Sequence, residues 1–173
     1  MAKHKPLVLN VPNEIMQDTK DYIQAEILRK LAAARQIVEL DKEIAAGIYV
    51  YALEELGKLE VLKQAEQKDS QFSLKYDEEF SWHRVKFKLA VDYLQRVGHP
   101  ECILLKGSFS KKSFGDCTFI LGEVEACLGI FYTDFEYEKS TNIATRVRSI
   151  PLVNETKLKM AVDALEDVII KWS

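Results

Sequence analysis

Apolar residues recur at helical spacing through most of the first 70 residues, and they predict a helical hairpin. The first helix is expected over about Asn13–Leu40, with an apolar face formed by Ile23, Ile27, Leu31, Ala34 and Val38. Asp41 is expected to cap a second helix, which runs from Lys42 to about Gln67. One unbroken helix through both segments would be far longer than is usual in a globular domain, so an antiparallel pair is predicted.

Two more helices follow from the same pattern. The third is expected over about Asp77–Val97, where Gly98 and Pro100 stop it. The last is expected over Glu155–Trp172, with an apolar stripe formed by Leu158, Ala161, Val162, Leu165, Val168 and Ile169.

Residues 98–151 have no comparable pattern. Lys106–Asp116 is expected to be a loop, Cys117–Leu128 a short helix, and Gly129–Phe135 an extended segment because of its β-branched and aromatic residues. The chain is therefore predicted to be one all-α domain over residues 1–173, a bundle of long antiparallel helices. Residues 1–12 are expected to form an extended N-terminal arm, and residues 98–151 a short irregular or β-like insertion before the last helix.

Composition fits this fold and narrows the function. The 173 residues, of which 47% are apolar, suffice for a single core. A net charge of −3 argues against binding along long stretches of nucleic acid, although an enzyme acting on RNA needs only a local basic site.

Cysteine usage and hydropathy predict a cytoplasmic protein without a cofactor or metal. Cys102, Cys117 and Cys127 form neither a CxxC pair nor an even set, so reduced thiols are expected instead of disulfides or a zinc site. The apolar run Leu7–Leu9 is too short for a signal peptide, and no stretch approaches the roughly 20 apolar residues of a membrane span.

The second and third helices carry charged residues on faces that are otherwise apolar. In the projection of the second helix, Glu55 lies at the centre of the face formed by Ile44, Ile48, Ala52, Leu59 and Leu62, with Lys58 at its edge. Glu54 points away. In the third helix, His83 and Lys86 project inside the apolar arc. A buried carboxylate is costly unless it is paired, so the pattern predicts a polar cluster of Glu55, Lys58, His83 and Lys86.

Two interpretations of this cluster remain open. It is either a buried salt-bridge network that fixes helix register, with Glu54 and Lys58 as an ordinary surface pair, or it lies in a cleft. In a cleft, His83 would act as general acid or base and Lys86 would stabilise a phosphate charge.

The same residues resemble a known family. Ala52–Lys58 reads ALEELGK after the small and aromatic residues AAGIYVY, and Trp82–Lys86 reads WHRVK. Farther on, Gly129–Phe135 reads GIFYTDF, with Pro151 before the final helix. These segments, in this order, resemble the AbiV abortive-infection family, whose members have HEPN-like helical folds.

The resemblance implies a HEPN-like bundle, usually a homodimer, that acts in bacterial defence against phages. Such a toxin-like effector arrests translation or RNA metabolism in infected cells, in some cases after activation by a phage-encoded protein. Many HEPN proteins are metal-independent ribonucleases with an arginine four to six residues before a histidine. This chain departs from that pattern, because its nearest pair, Arg96 and His99, is too closely spaced.

If the chain cleaves RNA, the predicted acid–base group is His83, with Lys86 and Lys58 holding the scissile phosphate and Glu55 orienting the cluster. The alternative is a non-catalytic helical binding module that senses a phage protein or blocks a host component. An exposed cluster would favour the enzyme, and a sealed one would favour the binding module.

Overall fold

The computed structural model describes residues 8–68, 73–75, 83–103, 105–106, 118–119, 122–123, 135–138, 143–147 and 154–172. These residues are mostly helical, and the helices are α1 (Asn13–Ile37), α2 (Lys42–Lys68), α3 (His83–Arg96) and α4 (Glu155–Ile170). A single 3₁₀ turn covers Pro100–Cys102. The predicted all-α bundle is therefore confirmed.

The first two helices form the expected antiparallel hairpin. The turn begins where the backbone N–H groups of Leu40 and Asp41 both donate to the carbonyl of Ile37, so α1 ends slightly before the predicted residue. The side chain of Asp41 accepts from the backbone N–H of Ile44 at 2.9 Å, which confirms the predicted cap. All five residues of the predicted apolar face of α1 are buried.

Helix α4 follows its sequence pattern closely. Asn154 caps its first turn by accepting from the backbone N–H of Lys157 at 2.9 Å. All six residues of the predicted apolar stripe are buried, and they pack against α1, α2 and the 3₁₀ turn. One face of α4 meets the core, and the other faces solvent.

Helix α2 lies at the centre of the bundle and contacts α1, α3 and α4. Its buried residues are consequently not confined to one stripe; they include Ala45, Ala46, Tyr49, Val50, Ala52, Leu53, Leu56, Leu59, Val61 and Leu62. By contrast, Ile44, which was expected on the buried face, is exposed. A helix enclosed in this way places most of its circumference in the core.

Short antiparallel strands accompany the helices. The N-terminal arm contributes β1 (Val8–Asn10), which pairs with β2 (Ser73–Lys75). A three-stranded sheet contains β3 (Leu105–Lys106), β4 (Thr118–Phe119) and β5 (Gly122–Glu123). Strands β6 (Phe135–Glu138) and β7 (Ile143–Val147) form another pair.

These strands correct one prediction about the insertion. The short helix expected over Cys117–Leu128 is wrong for β4 and β5, whose residues pair as strands. Lys106, at the start of the loop expected over Lys106–Asp116, pairs in β3, and the rest of that loop lies outside the described residues. Most of the segment Gly129–Phe135 also lies outside them, as do residues 76–82 at the expected start of the third helix. None of the described helices is long and apolar enough to cross a membrane.

Candidate functional site

Helices α2 and α3 approach each other backbone to backbone at Gly57. A methyl group placed on Gly57 would collide with the carbonyl group of Lys86 and would lie 2.6 Å from its Cα. Only glycine leaves room for this approach, which places the side chain of Glu54, one turn earlier on α2, beside the first turn of α3. The glycine of the ALEELGK segment is therefore a packing requirement of the site.

Three side chains meet at this contact, and we call them the Glu54 cluster: Glu54, His83 and Lys86. One carboxylate oxygen of Glu54 lies 2.6 Å from Nζ of Lys86, and the other lies 2.9 Å from Nδ1 of His83. The side chains of Glu54 and Lys86 are only 9% and 4% exposed, whereas that of His83 is 60% exposed. A buried ion pair thus supports a histidine that faces solvent.

The predicted cluster is correct for His83 and Lys86, and it is wrong for its acid. Glu54, which was expected to point away from the core, is the carboxylate that joins His83 and Lys86. Glu55, which was expected at the centre of the buried face, is partly exposed and pairs with Lys30 of α1 at 3.1 Å. The physical reason is the enclosure of α2, because a projection that assumes a single buried face assigns the wrong direction when three neighbours surround the helix.

Lys58 does not belong to the Glu54 cluster either. Its Nζ lies 2.8 Å from Glu55, so the expected surface pair between Glu54 and Lys58 is wrong. The adjacent carboxylates of α2 are therefore divided between two neighbours, Glu54 toward α3 and Glu55 toward α1. Lys58 is partly exposed and lies one turn beyond Glu54.

Electrostatics keep the carboxylate of Glu54 ionised. Burial alone would raise its pKa, but hydrogen bonds from Lys86 and then His83, together with their charges, lower the pKa below its ordinary value of 4.5. An ionised carboxylate only accepts hydrogen bonds, so Nδ1 of His83 carries the hydrogen in their contact. In the neutral ring, the lone pair is then on Nε2, which has no partner among the described residues.

The enclosure of Lys86 changes the role predicted for it. Its ammonium group is held against Glu54 inside the α2–α3 contact, where a phosphate does not reach it. Lys86 fixes Glu54 in place, and Glu54 fixes His83. Lys86 and Glu54 thus hold the imidazole in position, and the imidazole is the exposed group of the cluster.

Two buried charged residues, Glu60 and Lys20, were not predicted from the sequence. Glu60 on α2 is buried and accepts from Arg96 at 2.9 Å, and buried Lys20 on α1 pairs with Glu66. The signal was present in the unusually even spread of apolar residues around α2, which indicates an enclosed helix whose acids need partners. His99 contacts Glu101 at 2.8 Å, so Arg96 and His99 serve different partners.

The described part of the chain offers little other reactive chemistry. Cys102 is buried, and burial raises the pKa of its thiol to about 12, so the thiol remains protonated. Its carbonyl accepts from the hydroxyl of Tyr49 at 2.6 Å. Among the described residues, no group of His, Cys, Asp or Glu side chains is arranged to hold a metal ion.

Comparison with known proteins adds no relative from which a function could be transferred. No protein-family model matches the chain, and neither a curated protein nor a solved structure is significantly similar to it.

Proposed function

We propose that this chain is an effector of abortive-infection defence that, in response to a phage-encoded protein, arrests translation or RNA metabolism by cleaving RNA. The observation that carries the proposal is the solvent-exposed His83, whose Nδ1 is held by the buried carboxylate of Glu54. A histidine oriented in this way presents Nε2 for proton transfer, which is the arrangement that acid–base catalysis requires.

The contact between the two helical motifs also supports the family resemblance. Glu54 and Gly57 belong to ALEELGK, and His83 and Lys86 belong to WHRVK, and these four residues meet in one place. The HEPN-like character of the bundle remains part of the proposal.

In the proposed reaction, the imidazole of His83 is the protein group that exchanges a proton. Neutral Nε2 of His83 accepts the proton of a ribose 2′-hydroxyl, and the 2′-oxygen attacks the adjacent phosphorus. The bond to the 5′-oxygen breaks, and that oxygen takes a proton from water. The hydroxide so formed takes the proton held on Nε2 of His83, which leaves a 2′,3′-cyclic phosphate, a 5′-hydroxyl and neutral His83. Lys58, partly exposed and near Glu54 along α2, is the cation that we assign to the phosphate.

The test is expression of wild type and His83→Ala during phage challenge, with total RNA examined for fragments that end in a 2′,3′-cyclic phosphate. We expect His83→Ala to lose both protection and these fragments. His99→Ala is the matched control, because His99 also contacts a carboxylate but lies outside the Glu54 cluster. Retained protection in His83→Ala with an intact fold would contradict the catalytic proposal.

Lys86 supports a second candidate, a non-catalytic binding module that senses a phage protein or blocks a host component. Its enclosed pair with Glu54 has the character of a structural salt bridge, as expected for a sealed cluster. This candidate predicts that wild type protects without producing RNA fragments. The same RNA measurement therefore separates the two functions.

We also propose that the chain forms a homodimer. Leu40 in the turn before α2 and Ile44 on the first turn of α2 are exposed apolar residues, and a second copy that packs on this end of the helix would cover them. In sedimentation experiments, Ile44→Glu should shift the protein toward monomer. Met160→Glu, at an exposed apolar position on α4, should leave the mass unchanged.

A further inference from the structure

The first three turns of α1 present a solvent-exposed face on the side of the helix opposite the core. At 100° per residue, five exposed residues fall within an arc of about 120°. We call this arc the α1 outer face, and it consists of Glu14, Ile15, Asp18, Asp21 and Tyr22. It lies at the end of α1 remote from the turn into α2, and none of its residues belongs to the Glu54 cluster. The α1 outer face is therefore a surface of its own.

Two apolar side chains lie along one edge of the α1 outer face. Ile15 is 53% exposed and Tyr22 is 69% exposed. Their spacing of about two helical turns places both on the same side of α1, roughly 10 Å apart along its axis. A partner that packs alongside α1 would cover both. The tyrosine would contribute most, because it combines a large apolar ring with a polar tip and is enriched among the residues that dominate binding.

The three carboxylates of the α1 outer face lack a cation. None of them forms an ion pair with any described residue. Asp21 accepts a hydrogen bond from the neutral amide of Gln17 at 2.7 Å. Lys20, the nearest cation in sequence, is buried and pairs with Glu66 of α2. The face therefore carries negative charge that the described part of the protein does not neutralise.

Other acids on the helices are arranged differently. On α4, Asp163 and Glu166 are one turn apart, and Arg35 of α1 pairs with both. Farther along α1, both carboxylate oxygens of Glu26 accept from Arg29, at 2.9 and 2.7 Å. In these places the chain itself supplies a cation to neighbouring acids. At the α1 outer face, the cation is left to a partner.

The helix dipole explains only one of the three acids. Glu14 lies in the first turn of α1, where a negative charge is favourable. Asp18 and Asp21 lie beyond that turn, where the effect of the dipole has largely fallen off. Asp18 also follows Glu14 by four residues, and like charges at this spacing repel each other and destabilise a helix. A basic partner would relieve this repulsion.

We propose that the α1 outer face docks a basic amphipathic helix of another protein. Apolar side chains of that helix would cover Ile15 and Tyr22, while its lysines or arginines would pair with the neighbouring carboxylates. The negative charge of the face disfavours RNA and anionic membranes, because like charges repel. The proposal requires neither RNA cleavage nor His83, so the failure of either proposal would leave the other standing.

The experiment measures fluorescence anisotropy of a labelled helical peptide that is titrated with the whole chain. The peptide has about 18 residues, enough to span the face, with leucines on one side and lysines beside them. We expect it to bind with an affinity that falls as salt rises. A peptide with glutamates in place of the lysines should bind at least about tenfold more weakly. Absence of binding, or equal binding of a scrambled peptide of the same composition, overturns the proposal.

Variants locate the binding on α1. Tyr22→Ser should weaken binding at least about tenfold, and the double variant Asp18→Asn, Asp21→Asn about fivefold. All three positions are exposed, so the fold should be retained, and circular dichroism checks this. Met160→Ser and Asp167→Asn are the matched controls, because they remove an exposed apolar side chain and an exposed carboxylate from α4. If the control variants weaken binding as much, the attraction is a general property of the surface and the docking site is refuted.

A second copy of this chain is the competing occupant of the α1 outer face. Because we assign the face to a different protein, Tyr22→Ser should sediment with the same mass as wild type. A shift of Tyr22→Ser toward monomer would assign the face to a contact between copies and would overturn the proposal.

Discussion

The contacts that α1 makes with α4 and that α2 makes with α3 both contain ion pairs, but the two regions place them in different surroundings. In the α2–α3 contact, Glu54 and Lys86 are almost fully enclosed beside Gly57. In the α1–α4 contact, Arg35 reaches Asp163 at 2.8 Å and Glu166 at 2.6 Å on the surface, and its side chain is 42% exposed. The ion pair in the α2–α3 contact is shielded from water, whereas the ion pairs in the α1–α4 contact are exposed to it.

This difference decides what each region contributes. Removing two charges from water is costly, so the enclosed pair is tolerated only because its partners fit closely, and losing one partner leaves an uncompensated charge. The ion pairs of Arg35 at the surface remain largely hydrated, so they contribute little to the free energy of unfolding. The enclosed region is therefore suited to holding His83 in one geometry, whereas the surface region joins two helices with low sensitivity to change.

The largest expected effect comes from removing the enclosed acid. Glu54→Ala leaves the ammonium of Lys86 buried without its carboxylate, which should lower the free energy of unfolding by about 3–5 kcal/mol. Chemical denaturation measures this change. The double variant Glu54→Ala, Lys86→Met removes both charges and should recover much of the loss. If the single variant is as stable as wild type, the pair is not dehydrated as described.

The next effect tests the close approach of the helices. Gly57→Ala places a methyl group against the backbone of Lys86, and we expect a loss near the upper end of the ~1–3 kcal/mol range for overpacking. Gly98→Ala is the control, because no atom lies within 4 Å of the added methyl group. The loss expected for Gly98→Ala is about 1–2 kcal/mol, because alanine is strained at the φ angle of +81° that Gly98 adopts. Equal thermal stability of Gly57→Ala and wild type would exclude backbone contact at this point.

The comparison also explains which features the sequence allowed us to predict. Helices α1 and α4 bury one face, so their apolar periodicity predicted their buried residues correctly. Helix α2 is enclosed by three neighbours, and its apolar residues point in too many directions to define a face. For this reason the sequence predicted Glu55 in the cluster where the structure has Glu54, and it did not predict that Glu60 is buried. His83 and Lys86 were assigned to the cluster correctly because α3 carries fewer apolar residues.

Acid should weaken the enclosed region in a defined pH range. Because folding lowers the pKa of Glu54 below its ordinary value of 4.5, the ionised carboxylate stabilises the fold above about pH 4.5 and loses this contribution as pH falls further. We therefore expect the stability advantage of wild type over Glu54→Gln to shrink as pH falls below 4.5. Unfolding curves of both proteins between pH 3 and 7 measure it. An advantage that grows on acidification would show that Glu54 is not stabilised in its charged form.

The smallest effect is expected at the surface region. Arg35→Gln removes both contacts with α4, but water replaces them, so the free energy of unfolding should fall by only about 0–1 kcal/mol. Salt sharpens the contrast, because 1 M NaCl shortens the screening length to roughly 3 Å and should reduce this small loss further. The loss in Glu54→Ala should persist in the same salt, because solvent ions do not enter the enclosed contact. Denaturation of both variants at low and high salt makes the comparison, and a salt-insensitive loss in Arg35→Gln would mean that the two regions are electrostatically alike.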